Sequence, residues 1–277
     1  MGFLEWLFGK KPAAEQISPK SDGKPIITME ILPPVPKPPI DKSKFSAIGN
    51  SEPLCPYCGY HFNKMPQRKK ACPNCKKVFY SRTRPLDNLK VLVTTDQLNE
   101  VERQNSIKNG SFSERQQNQY NKTRDDLRKR FGKEPSYSDV TWGFLNKEAQ
   151  YMARRKDWGL YTNVIAQQAN FLEREEKFKQ ALIFYQQLCY LDLNGPENIG
   201  GLGSDANFPS FNPETAFLPP TNVEHFFKLG TDMKMSAAEI KTIFIEHNTK
   251  IYKSLKLPVS PENAWQSIEK IFPQNDQ

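Results

Sequence analysis

Cys55, Cys58, Cys72 and Cys75 fall within twenty-one residues, as two C-x-x-C pairs separated by thirteen. A two-residue gap lets both thiolates of a pair reach one ion, and two such pairs complete a tetrahedral shell. The spacing therefore predicts a bound Zn2+. Each pair lies in a sequence suited to a tight turn, Cys55-Pro56-Tyr57-Cys58-Gly59 and Cys72-Pro73-Asn74-Cys75-Lys76. Proline restricts φ there, and Gly59 is free to take positive φ. Four thiolates leave no open coordination position, so the expected ion is single and structural. His61, between two aromatics in the following strand-like stretch, has no assigned role.

A second chemistry surrounds the first. Between Cys55 and Arg84 stand eight cations, Lys64, Arg68, Lys69, Lys70, Lys76, Lys77, Arg82 and Arg84, and no carboxylate. Four thiolates and one divalent ion contribute only about −2, leaving the segment near +6. Residues 1–90 hold 16 Lys+Arg against 7 Asp+Glu, and the remainder 23 against 24, so the whole excess is N-terminal. Cations interleaved with Tyr57, Tyr60, Phe62, Phe79 and Tyr80 match a nucleic-acid contact surface. Without a base-reading signature, that contact is expected to be weakly sequence-specific. An acidic protein or anionic lipid would answer the same charge pattern.

No catalytic constellation accompanies these residues. The three histidines include His225 and His247, twenty-two residues apart with no cysteine or acid in a ligand pattern. There is no nucleophile elbow or paired-carboxylate motif. The glycines of the 194–220 stretch neither follow a strand nor carry the Lys-Ser/Thr of a phosphate loop. The chain reads as a non-enzyme with no small-molecule substrate. Clustered thiolates with a solitary Cys189 predict a reducing, cytoplasmic setting.

The elements that must position these residues read as mainly α with a small β zinc ribbon. Aromatics after each C-x-x-C pair predict short strands, and the segment from about Leu54 to Arg84 resembles a zinc ribbon; with it, 54–94 takes in a following strand, Val91-Leu92-Val93-Thr94, that either completes the ribbon or bridges to the helices. That resemblance implies a fold and a metal, not an activity.

Before it, 1–11 is a short amphipathic segment in which Phe3, Leu4, Trp6, Leu7 and Phe8 would share one bulky face. It would pack on its own protein, enter a partner's groove or touch a membrane surface. The apolar run is interrupted by Glu5 and followed by basic charge, unlike a signal peptide. Residues 12–53 form a proline-rich linker, with the polyproline stretch Pro33–Pro39 expected to be extended and unpacked; a ligand for an aromatic-lined groove is the alternative.

After it, 95–135 is a polar helical connector, capped by Thr95 or Asp96 and then by Ser113, with a narrow apolar stripe and so expected to be exposed or partly disordered. Helices over 136–196 open at Ser136 or Ser138. Two of them, from Trp158 and from Phe178, resemble a single tetratricopeptide-type hairpin, with Ala169 and Ala181 at the crossing and Phe178 and Tyr185 as fillers. Glu176 replaces that family's glycine, and no second copy follows at its period. The resemblance implies a helix-hairpin scaffold and a peptide groove.

The Gly/Pro-rich loop 197–220 is a lid, a strap or a spacer. A C-terminal helical unit, 221–277, opens its second helix with the capping box Ser236-Ala237-Ala238-Glu239 and its last with Ser260-Pro261. Ile240, Ile243, Phe244, His247, Ile251 and Leu255 form one face, with Val223, Phe226, Phe227, Trp265, Ile268, Ile271 and Phe272 as its partners.

The whole order also resembles uncharacterised bacterial or phage zinc-ribbon proteins. The expected function is a zinc-binding adaptor whose basic ribbon contacts nucleic acid while its helices bind a protein partner. The alternative is a pure protein-interaction scaffold with a structural ribbon.

Overall fold

A computed structural model describes residues 43, 45–200 and 209–271. The segment 1–11, most of the proline-rich stretch, the side chain of Ile271 and Phe272 lie outside these residues. The architecture is mainly helical, with eight α-helices and one small antiparallel sheet among the described residues. No helix among them is long and apolar enough to cross a membrane.

The sheet runs β1 (Lys70–Ala71), β2 (Val78–Thr83) and β3 (Lys90–Val93) in that spatial order. Lys70 opposes Phe79, and Tyr80 opposes Val93. Alternation along the strands divides the apolar side chains between two faces. Phe79 and Leu92 pack with Phe62, Cys55 and Cys72, whereas Tyr80, Val91 and Val93 pack with Ile48, Leu98 and Val101. One face thus closes over the cysteines and the other rests on Leu98 and Val101 of the helix that follows β3. Covering both faces explains why Val91-Leu92-Val93 is uninterrupted apolar sequence.

The end of the proline-rich stretch is packed, contrary to its composition. Phe45 and Ile48 are buried. Asn50 exchanges two backbone hydrogen bonds with Leu92, at 2.9 and 2.8 Å, extending the sheet beyond β3. The reason is specific: two apolar side chains and an unpaired strand edge outweigh an average dominated by Pro and Lys. Gly49 makes the approach sterically feasible, because at φ +80° a Cβ there would lie 2.6 Å from Val93 Cγ1.

Helix α1 (Thr95–Lys108) starts one residue earlier than its polar sequence indicates. Thr94, still extended as it leaves β3, forms a capping box with Gln97. Asp96 is used instead to accept the Ser138 amide at 2.7 Å. The helix is not exposed. Leu98 and Val101 are fully buried, and its polar residues are buried as pairs. Glu100 is held by Arg103 at 2.7 Å, Gln104 at 2.8 Å and the Tyr120 hydroxyl at 3.3 Å. Burial there is bought with hydrogen bonds, which a hydrophobic stripe does not register. Helix α2 (Glu114–Phe131) does follow its sequence: Ser113 caps it, Gly132 closes it in the left-handed conformation, and only Tyr120 and Thr123 are buried.

Helix α3 (Tyr137–Arg155) takes Ser136 as cap, freeing Ser138 to bond Glu175 at 2.8 Å. Helices α4 (Trp158–Arg174) and α5 (Phe178–Leu193) form the most extensively packed pair, with Ala169, Ala181 and Tyr185 buried. Phe178 is not a filler. It stands at the first position of α5 and is 40 % exposed. Glu176 adopts φ +59°, the conformation a glycine would take more readily.

The described flanks of the 197–220 loop form a strap along the start of α4. Trp158 donates its amide to the Glu197 carbonyl at 2.8 Å, and Asn198 Oδ1 accepts the Leu160 amide at 2.9 Å. Asp157, buried at the helix start, accepts the Gly200 amide at 2.8 Å, and Phe211 tilts against Trp158 at 5.2 Å.

Helices α6 (Pro220–Asp232), α7 (Ala237–Leu255) and α8 (Pro261–Ile271) complete the chain. Val223, Phe226, Phe227, Ile240, Phe244, Trp265 and Ile268 are buried together, while Ile243, His247, Ile251 and Leu255 are only half-buried. Helix α5 joins this unit through Gln186 Nε2 to the Ile240 carbonyl, 2.9 Å, and the Tyr190 hydroxyl to the Val259 carbonyl, 2.7 Å.

Candidate metal centre and basic cleft

The two C-x-x-C turns are built alike. In the first, the Gly59 amide donates to the Cys55 carbonyl at 3.0 Å and the Cys55 amide to the Tyr60 carbonyl at 2.8 Å. In the second, the Lys76 amide donates to Cys72 at 2.9 Å and the Cys72 amide to the Lys77 carbonyl at 2.9 Å. Each turn needs a positive φ before its chain leaves, supplied by Gly59 at 71° and Lys76 at 61°. The second turn leads into β2. The first forms only a single bridge, Leu54 to His61, rather than the strand its aromatics predict.

The turns bring all four sulfurs within 4.8 Å of one another. Cys55 Sγ lies 3.8 Å from Cys75 Sγ, and Cys58 Sγ lies 3.8 Å from Cys72 Sγ. The four cysteines can therefore hold a metal ion. His61 is exposed and stands apart from the sulfur cluster.

The sulfur environments differ. Burial pushes the Cys55 thiol up to about 12, and it raises Cys75 as well. The backbone amide of Tyr60 draws Cys58 down to about 6, helped by Asn74 Nδ2 at 3.6 Å. A cation at the centre favours the thiolate form of all four. Cys189 is fully buried in α5 and takes no part.

The eight cations separate into two groups. Arg84 is buried, bonds Asp87 through Nε at 3.0 Å and Nη2 at 2.5 Å, and reaches the Ile48 carbonyl at 3.2 Å. Arg82 pairs with Glu102 at 3.4 Å, which also binds Arg174 at 2.5 Å, tying β2 to α1 and α4. These two arginines join the sheet to its neighbours. Lys64, Arg68, Lys69, Lys70, Lys76 and Lys77 are exposed and form no ion pair among the described residues. Lys77 stands over the Tyr57 ring at 5.2 Å and Lys69 over Tyr80 at 5.6 Å.

Four of the exposed six, Lys64, Arg68, Lys69 and Lys70, surround an open cleft of about 660 Å³ between the two turns. Tyr60, Phe62, Met65, Pro66 and Pro73 form its apolar part. Lys76 and Lys77 instead border a second cleft, of about 540 Å³, with Cys75, Arg174, Glu175 and Glu176.

The sequence gives no sign of Lys90 in this site, yet its Nζ bonds Gln67 Oε1 at the rim of the first cleft. That link joins residues twenty-three apart and leaves no local pattern. His225, outside the site, bonds Glu173 at 2.9 Å, a carboxylate also held by the Tyr185 hydroxyl at 2.8 Å. His247 is half-buried and pushed down by that burial.

Comparison of the chain with protein-family models, with curated proteins and with solved structures gave no match.

Proposed function

We propose that this protein is a non-enzymatic adaptor in which a zinc-stapled ribbon presents cations to the phosphates of a nucleic acid, with low sequence specificity, while the helical region binds a protein partner. The donor set supports zinc. A Zn–S distance of about 2.3 Å in a tetrahedron separates the sulfurs by about 3.8 Å. That is the spacing of the Cys55–Cys75 and Cys58–Cys72 pairs. The ion would be structural, holding a segment whose own apolar cluster is small. Thiolate ligation fits a cytoplasmic setting.

One observation carries the nucleic-acid reading: Lys64, Arg68, Lys69 and Lys70 crowd one cleft without a carboxylate among its lining residues. A folded protein normally interleaves opposite charges, and a concentration of one sign is suited to a polyanion. The protein-binding half rests on the α4–α5 hairpin, which resembles a tetratricopeptide unit, and on the exposure of Phe178 and of Phe217, which is 74 % exposed.

The test is fluorescence anisotropy with labelled oligonucleotides across a salt series. Affinity should fall steeply with salt, and replacing Arg68, Lys69 and Lys70 by alanine should weaken it and flatten the slope by about three phosphate contacts. No binding at low salt, or binding indifferent to the triple substitution, would refute the reading. The scaffold alternative would then stand. It draws support from Arg82 and Arg84, whose pairing with Glu102 and Asp87 shows that part of the ribbon's charge serves its own structure.

A further inference from the structure

We infer that the cleft between the two turns receives an unpaired nucleobase against Tyr60, so that the nucleic acid recognised is single-stranded. This rests on the nucleic-acid reading above and narrows it. Tyr60 is 41 % exposed, but it is held from behind. Its ring meets Phe62 edge to face at 5.2 Å, and Phe62 meets Phe79 at 5.2 Å. Phe79 has no exposed surface and belongs to the cluster beneath Cys55 and Cys72. Tyr60 is thus the outer rung of a three-ring ladder anchored beside the metal centre. A ring immobilised before binding loses little freedom when a ligand stacks on it.

The surroundings specify the rest of the ligand. Met65, Pro66 and Pro73 supply apolar walls, and Lys64, Arg68, Lys69 and Lys70 supply positive charge. The Lys90–Gln67 bond ties the loop between the turns to β3. A ligand suited to this cleft needs a flat apolar face with negative charge beside it. A single strand offers that at every nucleotide, with stacking that tolerates any base. A duplex keeps its base faces stacked internally and offers phosphates alone. An acidic peptide satisfies the cations but leaves the aromatic and proline surfaces unused.

The metal-loaded full-length chain would be titrated by anisotropy against three labelled probes of equal length: oligothymidylate, its duplex with oligoadenylate, and an abasic phosphodiester strand. Oligothymidylate should bind about fivefold or more tightly than the abasic strand, as expected for even one stacked base. Tyr60→Ala should erase that preference and Tyr60→Phe should keep it, with bound metal unchanged in both. Equal affinity of the wild-type chain for the oligothymidylate and abasic strands, or tighter binding of the duplex, would overturn the inference. If salt-sensitive, arginine- and lysine-dependent binding persisted in that case, the broader nucleic-acid reading would survive. Absence of binding to every probe would overturn both.

Discussion

Lys76 holds in the second cysteine turn the place that Gly59 holds in the first. Both backbones have positive φ, 61° and 71°, and both amides bond the carbonyl of the cysteine four residues earlier. The repeated geometry is set by the requirement that paired thiolates converge on one point, and each sequence meets it at a different conformational cost. Nothing lies within 4 Å of where a Gly59 Cβ would be, so the difference is one of backbone strain alone. Gly59→Ala should destabilise the metal-loaded protein by about 1 kcal/mol, and Lys76→Gly should shift stability in the opposite direction. Urea denaturation of the two variants checks the signs.

Chelation should act locally. The cluster of Cys55, Phe62, Cys72, Phe79 and Leu92 is small and depends on the turns, whereas Ala169, Ala181, Phe226, Phe244 and Trp265 are buried in the helical region and take no part in it. Removing the metal should expose the backbone of residues 54–83 to hydrogen exchange while most far-UV helical signal remains. Cys189→Ala, by contrast, should leave metal content unchanged.

The Asn198 side chain caps α4 from a distant part of the sequence, because Asp157 makes no side-chain bond of that kind. Asn198→Ala should cost about 1 kcal/mol, the usual loss for a helix cap. Increased exchange of the Leu160 amide would locate the effect.

These elements differ in how far the sequence reveals them. Caps at Ser113 and Ser236 and the two cysteine turns are legible because each depends on residues within a few positions. The Thr94 cap is obscured by the strand that precedes it, and the burial of Phe45 and Ile48 by the prolines around them. Lys90 and the Asn198 cap depend on partners many residues away, to which no local period corresponds. Phe178 misleads for the opposite reason: its spacing fits a hairpin filler, but at the first position of α5 it stays 40 % exposed.

Asp192, near the end of α5, should make stability fall with rising pH. Burial raises its carboxyl to about 7, only partly opposed by Asn222. The folded state therefore holds a proton that the unfolded state loses near pH 4. Stability is greatest below that value, declines as pH rises through about 7, and stays at its lower level above. Asp192→Asn should flatten the profile between about pH 4 and 7 and stabilise the protein at pH 8, as thermal denaturation across that range would show.

The proposed zinc site requires four thiolates on two matched turns to hold one ion. Native mass spectrometry of the full-length chain, before and after chelation, tests it most directly, with metal identity assigned by elemental analysis. One zinc per chain is expected, displaced by chelator and absent after replacement of Cys55 and Cys72 by serine. Retention of zinc in that double variant, or a purified reduced chain that takes up no zinc, would contradict the account.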